Sequence, residues 1–199
     1  MPTIQDRQVG GIGYGMIPLT PHTGPVPEEQ AFAVLRNAIK SGCTLWNAGE
    51  IYGSPENNSL TLINRYLTKY PEDADKILMN VKGASEPGLK PNGSPDFIRQ
   101  SVDNCLKHLG GKAKIDQFEC MRRDVSVPLE ETLGALTELV EQKKIGGVAL
   151  TEVNAETIKE AAKITKIVAV EIELSLWCRD ALFNGIAETC GRLNIPILA

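Results

Sequence analysis

A tyrosine and a lysine that follow two successive strand-like runs are the residues of this sequence best suited to acid–base chemistry. Tyr52 lies in the segment 45–53 at the end of one run, and Lys82 ends the next run, 76–82. Taken alone, each is more often structural, because a tyrosine can simply pack on the rim of a sheet. If the two lie on adjacent strand ends of a barrel, the ammonium group of Lys82 would lower the pKa of the Tyr52 phenol. The pair therefore indicates a general acid.

Composition excludes several other kinds of chemistry. The 199 residues carry 21 Lys and Arg against 25 Asp and Glu, a net charge of −4, which argues against nucleic acid or an anionic membrane as partner. The five cysteines are scattered and the two histidines isolated, so a disulfide framework, a zinc site or a histidine-based triad is not expected. We find no signal peptide and no apolar run long enough for a bilayer. A reducing, cytoplasmic location is expected.

The glycine cluster 10–15 is similar to a phosphate-binding loop but does not match one. A G-x-G-x-x-G pattern that starts at Gly11 or Gly13 has Met16 or Pro18 where the third glycine should be. A glycine-rich first strand with close backbone approach is the simpler interpretation. A short-chain dehydrogenase is excluded, because no tyrosine is followed four residues later by a lysine.

Short apolar runs alternate with helical patterns along the whole chain. This pattern predicts about seven strands and six helices, and therefore a parallel sheet covered by helices. The strands are expected at 11–15, 43–47, 76–82, 115–120, 145–150, 167–171 and 195–199, and the helices at 26–42, 60–67, 95–110, 128–140, 154–162 and 182–193.

Two α/β architectures are compatible with this alternation, an open doubly wound sheet and a closed (β/α)8 barrel. The regular period and the polar residues at the carboxyl ends of strands favour the barrel. The barrel would be incomplete, because an eighth strand and the last two helices have no counterpart in the 199 residues. We expect one domain over 1–199, and the doubly wound sheet with an unrelated function remains the less favoured alternative.

Six short motifs follow one another along the chain, at 11–16, 47–53, 81–83, 101–110, 146–153 and 170–176. Their order and spacing make the chain similar to the aldo-keto reductases, in particular to their fungal pyridoxal reductase branch. The resemblance implies a TIM barrel that uses NADPH to reduce an aldehyde or ketone to an alcohol. The expected substrate is a small-molecule aldehyde, pyridoxal, with pyridoxine as the product.

The resemblance also assigns catalytic roles. Tyr52 would protonate the carbonyl oxygen, and Lys82 would lower the pKa of Tyr52. The family's aspartate falls on Asn47 and its histidine on Met121. Asn47 can still form a hydrogen bond with Lys82, but it carries no charge, and Met121 cannot donate a hydrogen bond.

The cofactor contacts follow from the resemblance in the same way. The first strand would contribute Gly13, Tyr14 and Gly15. Thr151 and Glu152 stand where the family has a Ser-Asn pair that contacts the nicotinamide amide, and Glu171 stands where it has a glutamine.

One expectation goes beyond the resemblance and concerns Glu119. Glu119 and Met121 are two residues apart on the fourth strand, so both are expected to point into the barrel. A carboxylate there is costly unless it is paired. We expect Glu119 to supply Lys82 with the negative charge that Asn47 does not provide. A hydrogen bond from Glu119 to backbone or water is an equal alternative.

The end of the chain leads to the last expectation. In the family, the strand at 195–199 continues into a tyrosine that stacks on nicotinamide and into the elements that bind the cofactor phosphate. An unclosed barrel would leave open strand edges. We therefore expect the chain alone to fold poorly, to bind NADPH weakly or to associate with another chain through those edges. A catalytically impaired barrel fragment or interaction module is the alternative function.

Overall fold

The computed structural model describes residues 2–21, 23–24 and 26–199. The chain divides into two compact units, Met1–Gly83 with Val102–Asp116, and Ala84–Ser101 with Gln117–Ala199.

Among its described residues, the first unit contains a parallel sheet, two complete helices and the C-terminal part of a third. A short antiparallel hairpin, β1 (Thr3–Ile4) and β2 (Arg7–Gln8), precedes the sheet. The elements that follow are β3 (Tyr14–Gly15), α1 (Glu28–Lys40), β4 (Leu45–Gly49), α2 (Ser59–Lys69) and β5 (Leu78–Gly83). The sheet has the order β3-β4-β5.

One face of β4 packs against the helices, and the other face carries the polar residue of the strand. Trp46 is fully buried, and its ring centroid lies 5.7 Å from that of Tyr66 on α2. Phe32 of α1 packs edge-on against the same tyrosine at 5.5 Å. Since side chains alternate along a strand, Asn47 faces away from the helices.

The second unit contains a parallel sheet of four strands, preceded by an antiparallel hairpin. Its elements are β6 (Ser85–Glu86), β7 (Lys90–Pro91), α3 (Pro95–Leu109), β8 (Gln117–Cys120), α4 (Leu129–Glu141), β9 (Val148–Thr151), α5 (Ala155–Ile164), β10 (Ile167–Glu171), α6 (Ile186–Leu193) and β11 (Ile197–Leu198). The sheet has the order β8-β9-β10-β11. Only the first part of α3 belongs to this unit, and the helix ends in the first unit.

The seven strands and six helices predicted from the sequence are all present. The close backbone approach at the glycine-rich start is confirmed, because a Cβ on Gly13 would lie 3.0 Å from the carbonyl oxygen of Leu45. The predicted start of the last helix at 182 is wrong. Leu182 ends a separate 3-10 turn, and α6 begins at Ile186, after Gly185 has turned the backbone at φ +87°. Nothing in the apolar spacing marked that interruption.

Candidate active site

Tyr52 lies in a tight loop between β4 and α2, and neighbouring groups hold its backbone on both sides. Its amide donates to the carbonyl of Gly49 at 3.2 Å. Its own carbonyl accepts two hydrogen bonds, from the hydroxyl of Thr20 at 2.6 Å and from the amide of Ser59 at 2.9 Å. These three hydrogen bonds therefore restrict the movement of the backbone that carries the phenol ring.

The ring of Tyr52 lies against the end of β4. A Cβ added to Gly49 would be 3.3 Å from the ring atoms Cγ and Cδ1 of Tyr52, so a glycine there allows the ring to approach the strand. The phenol hydroxyl donates a hydrogen bond to Oδ1 of Asn47 at 3.4 Å. The tyrosine thus points back over the face of β4 that is opposite the helices.

Lys82 belongs to the strand next to that face. β4 and β5 pair in register, with Gly49 opposite Lys82 and Asn47 opposite Asn80. Residues that pair in register lie on the same side of a parallel sheet, so Lys82 shares the face of Asn47. Lys82 is only 5% exposed, and its carbonyl accepts the amide of Glu50 at 3.2 Å. The structure thus brings together the three residues that the sequence predicted at these strand ends.

The N-terminus of α2 fixes the far end of the tyrosine loop. Asn58 caps the helix by accepting hydrogen bonds from the amides of Leu60 and Thr61, and Thr61 completes a capping box. Asn58 also bridges to Gly53, which adopts a φ of +120°. A Cβ at Gly53 would lie 2.4 Å from the carbonyl oxygen of Asn57, so only glycine fits this position.

The side chain of Ser59 bonds to the start of the loop that carries Tyr52. Its hydroxyl accepts the amide of Gly49 and donates to the carbonyl of Gly49, both at 2.9 Å. Together with its amide bond to Tyr52, Ser59 contacts both ends of the segment 49–52. Ser59 and Thr20 are buried, at 0% and 2% exposed. Neither residue was predicted from the sequence.

His108, near the C-terminus of α3, extends this network. Its Nδ1 lies 3.1 Å from Nδ2 of Asn58. Because Oδ1 of Asn58 accepts the two capping bonds, the atom that faces the imidazole is the amide nitrogen, which can only donate. Nδ1 of His108 must therefore accept. Burial, with a smaller effect of the neighbouring Lys107, lowers the pKa of His108 and keeps the ring in the neutral form.

The glycine-rich start of the chain lies beside β4. Gly15 pairs with Asn47 through β3, and no atom would obstruct a Cβ at Gly15. The amide of Met16 donates to the carbonyl of Asn47 at 2.9 Å. Burial raises the pKa of Tyr14, so its phenol stays protonated.

In the second unit, three of the predicted residues share one face of the sheet. The pairing of Phe118 with Val148 and of Thr151 with Glu171 places Glu119, Thr151 and Glu171 on that face. Glu119 is fully buried. That Glu119 supplies the negative charge for Lys82 stays a prediction.

Thr151 and Met121 are also buried in the second unit. The hydroxyl oxygen of Thr151 is buried, and among the residues that the structure describes it has no hydrogen-bond partner. Such a group is costly unless something binds it. Met121 follows β8 and is 8% exposed, and its thioether can accept only weakly.

Glu152 has a structural role that the sequence did not reveal. It adopts a left-handed φ of 50° and donates its amide to the carbonyl of Glu171 at 2.9 Å. Its Oε1 accepts the amide of Glu173 at 2.8 Å. The carboxylate of Glu152 therefore ties together the loops that follow β9 and β10.

The whole chain from the first glycines onward matches one family. The model of the aldo/keto reductase family matches residues 11–199. The chain belongs to the aldo/keto reductase family. The resemblance found in the sequence is thereby confirmed.

Curated relatives include two fungal reductases. The chain is 44% identical over 201 residues to "Probable pyridoxal reductase 2" of Schizosaccharomyces pombe, with 100% of this chain and 60% of the relative covered. It is 35% identical over 200 residues to "Putative pyridoxal reductase" of Saccharomyces cerevisiae, with 94% and 57% covered. The chain thus spans about 60% of the length of the first of these relatives.

Solved structures of the family show the same fold. A glycerol dehydrogenase from Gluconobacter oxydans superimposes with a TM-score of 0.85 at 19% identity, over 99% of this chain and 62% of its own. A thermostable aldo-keto reductase solved with the inhibitor epalrestat gives 0.82 at 22% identity, over 100% and 71%. The predicted fold class, an incomplete α/β (β/α)8 barrel of the aldo-keto reductase type, is confirmed.

None of the helices in the described part of the chain has the length and apolar character to span a bilayer.

Proposed function

We propose that this chain is part of an NADPH-dependent reductase that converts an aldehyde, pyridoxal, to the corresponding alcohol, pyridoxine. One observation carries the proposal: the Tyr52 hydroxyl lies 3.4 Å from Asn47 Oδ1 at the end of β4, and the buried Lys82 ends the paired strand β5. The 44% identity to a probable pyridoxal reductase supports the choice of substrate.

Tyr52 is the proton donor. Its hydroxyl transfers a proton to the carbonyl oxygen of the aldehyde, and solvent later reprotonates the phenolate. The ammonium group of Lys82 stabilises that phenolate and so lowers the pKa of Tyr52. Asn47 accepts from the hydroxyl in the ground state and orients it. Glu119 supplies the negative charge that a buried lysine requires.

The residues predicted to bind a nicotinamide cofactor are compatible with that role. The buried hydroxyl of Thr151 and the adjacent Glu171 could bind the carboxamide, and Glu152 holds their loops in place. The open space at Gly15 allows close approach beside Asn47. The cofactor, when bound, supplies the hydride that adds to the carbonyl carbon.

The test is a pair of measurements on the purified chain 1–199. NADPH binding is followed by quenching of Trp46 and Trp177 fluorescence, and turnover by NADPH consumption with pyridoxal. We expect Tyr52→Phe to bind NADPH like the wild type but to lose activity at least about a hundredfold, because general acid catalysis contributes roughly that much. Activity of Tyr52→Phe within threefold of the wild type would contradict the role of Tyr52.

Asn47→Asp is the informative companion variant. A carboxylate beside the phenol should raise the pKa of Tyr52 and move the pH profile of turnover upward. An unchanged profile would show that Asn47 does not act on the phenol.

A catalytically impaired fragment or interaction module remains the alternative, favoured by the neutral Asn47 and the non-donating Met121. It predicts that the folded chain neither binds NADPH nor reduces pyridoxal. Self-association through strand edges and a cytoplasmic location also stay predictions. Analytical ultracentrifugation and localisation of a tagged full-length protein would test them.

A further inference from the structure

The loop that carries Tyr52 is held by two buried hydroxyl residues with no assigned role. Thr20 reaches it from the segment after β3 and donates to the carbonyl of Tyr52 at 2.6 Å. Ser59, the first residue of α2, donates its amide to the same carbonyl at 2.9 Å. A carbonyl with two acceptor sites is thus fully used by two donors from different parts of the chain.

The same two residues restrict the conformation of the loop. The hydroxyl of Ser59 bonds both the amide and the carbonyl of Gly49 at 2.9 Å, so the start and the end of the segment 49–52 share one anchor. Beyond Tyr52, a Cβ at Gly53 would lie 3.1 Å from the carbonyl oxygen of Thr20. The segment before α1 and the start of α2 therefore enclose the loop from two directions.

This anchoring fixes the ring as well as the backbone. With both sides of the Tyr52 peptide held, the ring lies against Gly49 and its hydroxyl reaches Asn47. The amide of Glu50 bonds the carbonyl of Lys82, which ties the loop to the lysine strand. The distance between phenol and ammonium group thus depends on the loop backbone.

We infer that Thr20 and Ser59 are positioning residues for Tyr52: they clamp its backbone so that the phenol keeps its place between Asn47 and the strand of Lys82. This inference rests on the proposed function for its effect on turnover. The clamp itself is a property of the loop and can be measured without turnover. Displacement of a catalytic group by about 1 Å can reduce a rate on the order of a hundredfold.

The deciding comparison is Thr20→Val against Thr20→Ser. Valine preserves the shape of threonine but removes the hydroxyl, whereas serine keeps the hydroxyl and loses only a methyl group. Thr68→Val is the matched control, because Thr68 is exposed on α2 and bonds only within its own helix. Ser59→Ala tests the second anchor, and thermal unfolding establishes that each variant is folded.

Two readouts separate this inference from the proposed function. In turnover, Thr20→Val should lower kcat roughly ten- to hundredfold with KM for pyridoxal and NADPH within about twofold, and Thr20→Ser should restore kcat. Equal losses in both variants, or a rise in KM alone, would overturn the inference.

The second readout is the NMR titration of a chain labelled with 13C at the tyrosine Cζ. Tyr52→Phe assigns the Tyr52 signal among the four tyrosines. The Tyr52 signal and its titration midpoint should shift in Thr20→Val and remain as in the wild type in Thr20→Ser and Thr68→Val. If the wild type shows no turnover, the proposed function fails and this titration alone decides the inference. An unchanged Tyr52 signal in folded Thr20→Val refutes the clamp.

Discussion

Replacing Asn58 by aspartate should reverse the sign of the pH dependence of stability that arises from the titration of His108. In the wild type, the capping bonds fix the Asn58 amide so that its nitrogen donates to Nδ1 of His108. This bond requires a neutral ring, and burial lowers the pKa of His108 as well. Asn58→Asp keeps an oxygen for the cap but presents a carboxylate to the imidazole, which favours the protonated ring and raises its pKa.

The stabilities of the two proteins should therefore change in opposite directions as the pH passes the pKa of an unfolded histidine, about 6.5. In the wild type the folded pKa is lowered, so the stabilisation is present above about pH 6.5 and is lost as the pH falls through the folded pKa. In Asn58→Asp the folded pKa is raised, so the stabilisation is present below about pH 6.5 and is lost as the pH rises through the folded value.

The size of the effect follows from the groups involved. A hydrogen bond to a charged partner contributes about 1.5–3 kcal/mol, and a carboxylate at a helix N-terminus adds about 0.3–1 kcal/mol at any pH where it is ionised. We expect the two proteins to lie within about 1 kcal/mol at about pH 8. At about pH 5.5 the variant should be more stable than the wild type by about 1–2 kcal/mol.

Urea unfolding at a series of pH values, followed by circular dichroism, measures the difference. The control is the same pair in a His108→Gln background, where the difference between Asn58 and Asn58→Asp should no longer change over this range. Asn58→Ala, which removes the cap, should cost about 0.5–2 kcal/mol at every pH. Parallel curves for the wild type and Asn58→Asp would refute the assignment of His108 Nδ1 as an acceptor.

Three further substitutions test the packing and backbone conformation within each unit. Tyr66→Phe removes the hydroxyl that donates to the buried carboxylate of Asp73 and should cost about 1.5–3 kcal/mol near neutral pH. Burial alone would raise the pKa of Asp73, but hydrogen bonds from Lys76 and Tyr66 outweigh it and lower the pKa. The stabilisation is thus present above about pH 3.9 and lost as the pH falls through the folded value, and a loss independent of pH would contradict this. Gly53→Ala should destabilise by at least about 2 kcal/mol, because its Cβ would meet a backbone carbonyl at a left-handed φ. Gly134→Ala, in open space on α4, should instead stabilise by about 0.5–1 kcal/mol, and melting temperatures that order the two variants otherwise would refute both.

The order of the elements was predictable because their signals are local. Apolar residues at helical spacing bury one face of each helix, as Leu35 does on α1 and Leu133 on α4. Strand ends were predicted within about three residues, since a short apolar run has no sharp end in sequence. The start of α6 was missed because it depends on the left-handed turn at Gly185, whereas the apolar pattern continued through Leu182.

The placement of Tyr52 and Lys82 at the ends of neighbouring strands was predictable from topology alone. Consecutive strands of an alternating βα chain are neighbours, and their carboxyl ends lie at the same edge. The supporting residues were not predictable in this way. Thr20 contacts a carbonyl 32 positions away, and His108 contacts Asn58 50 positions away. The N-cap was different, because an Asn directly before an apolar helical run is a helix-start signal that can be recognised in sequence.

The contacts of Asn47 change the interpretation of its neutral side chain. In the resemblance it stands where an aspartate would pair with the lysine, so its amide suggests a lost function. Here Oδ1 of Asn47 accepts from the Tyr52 hydroxyl, and a carboxylate in that place would oppose the phenolate by like-charge repulsion. Under the proposed function, a neutral acceptor orients the hydroxyl while leaving the effect of Lys82 on the phenol uncancelled. Under the proposed function, the buried Lys82 takes its counter-charge from a carboxylate other than residue 47. The amide at this position therefore fits a tyrosine that donates a proton, provided that another carboxylate stabilises the lysine.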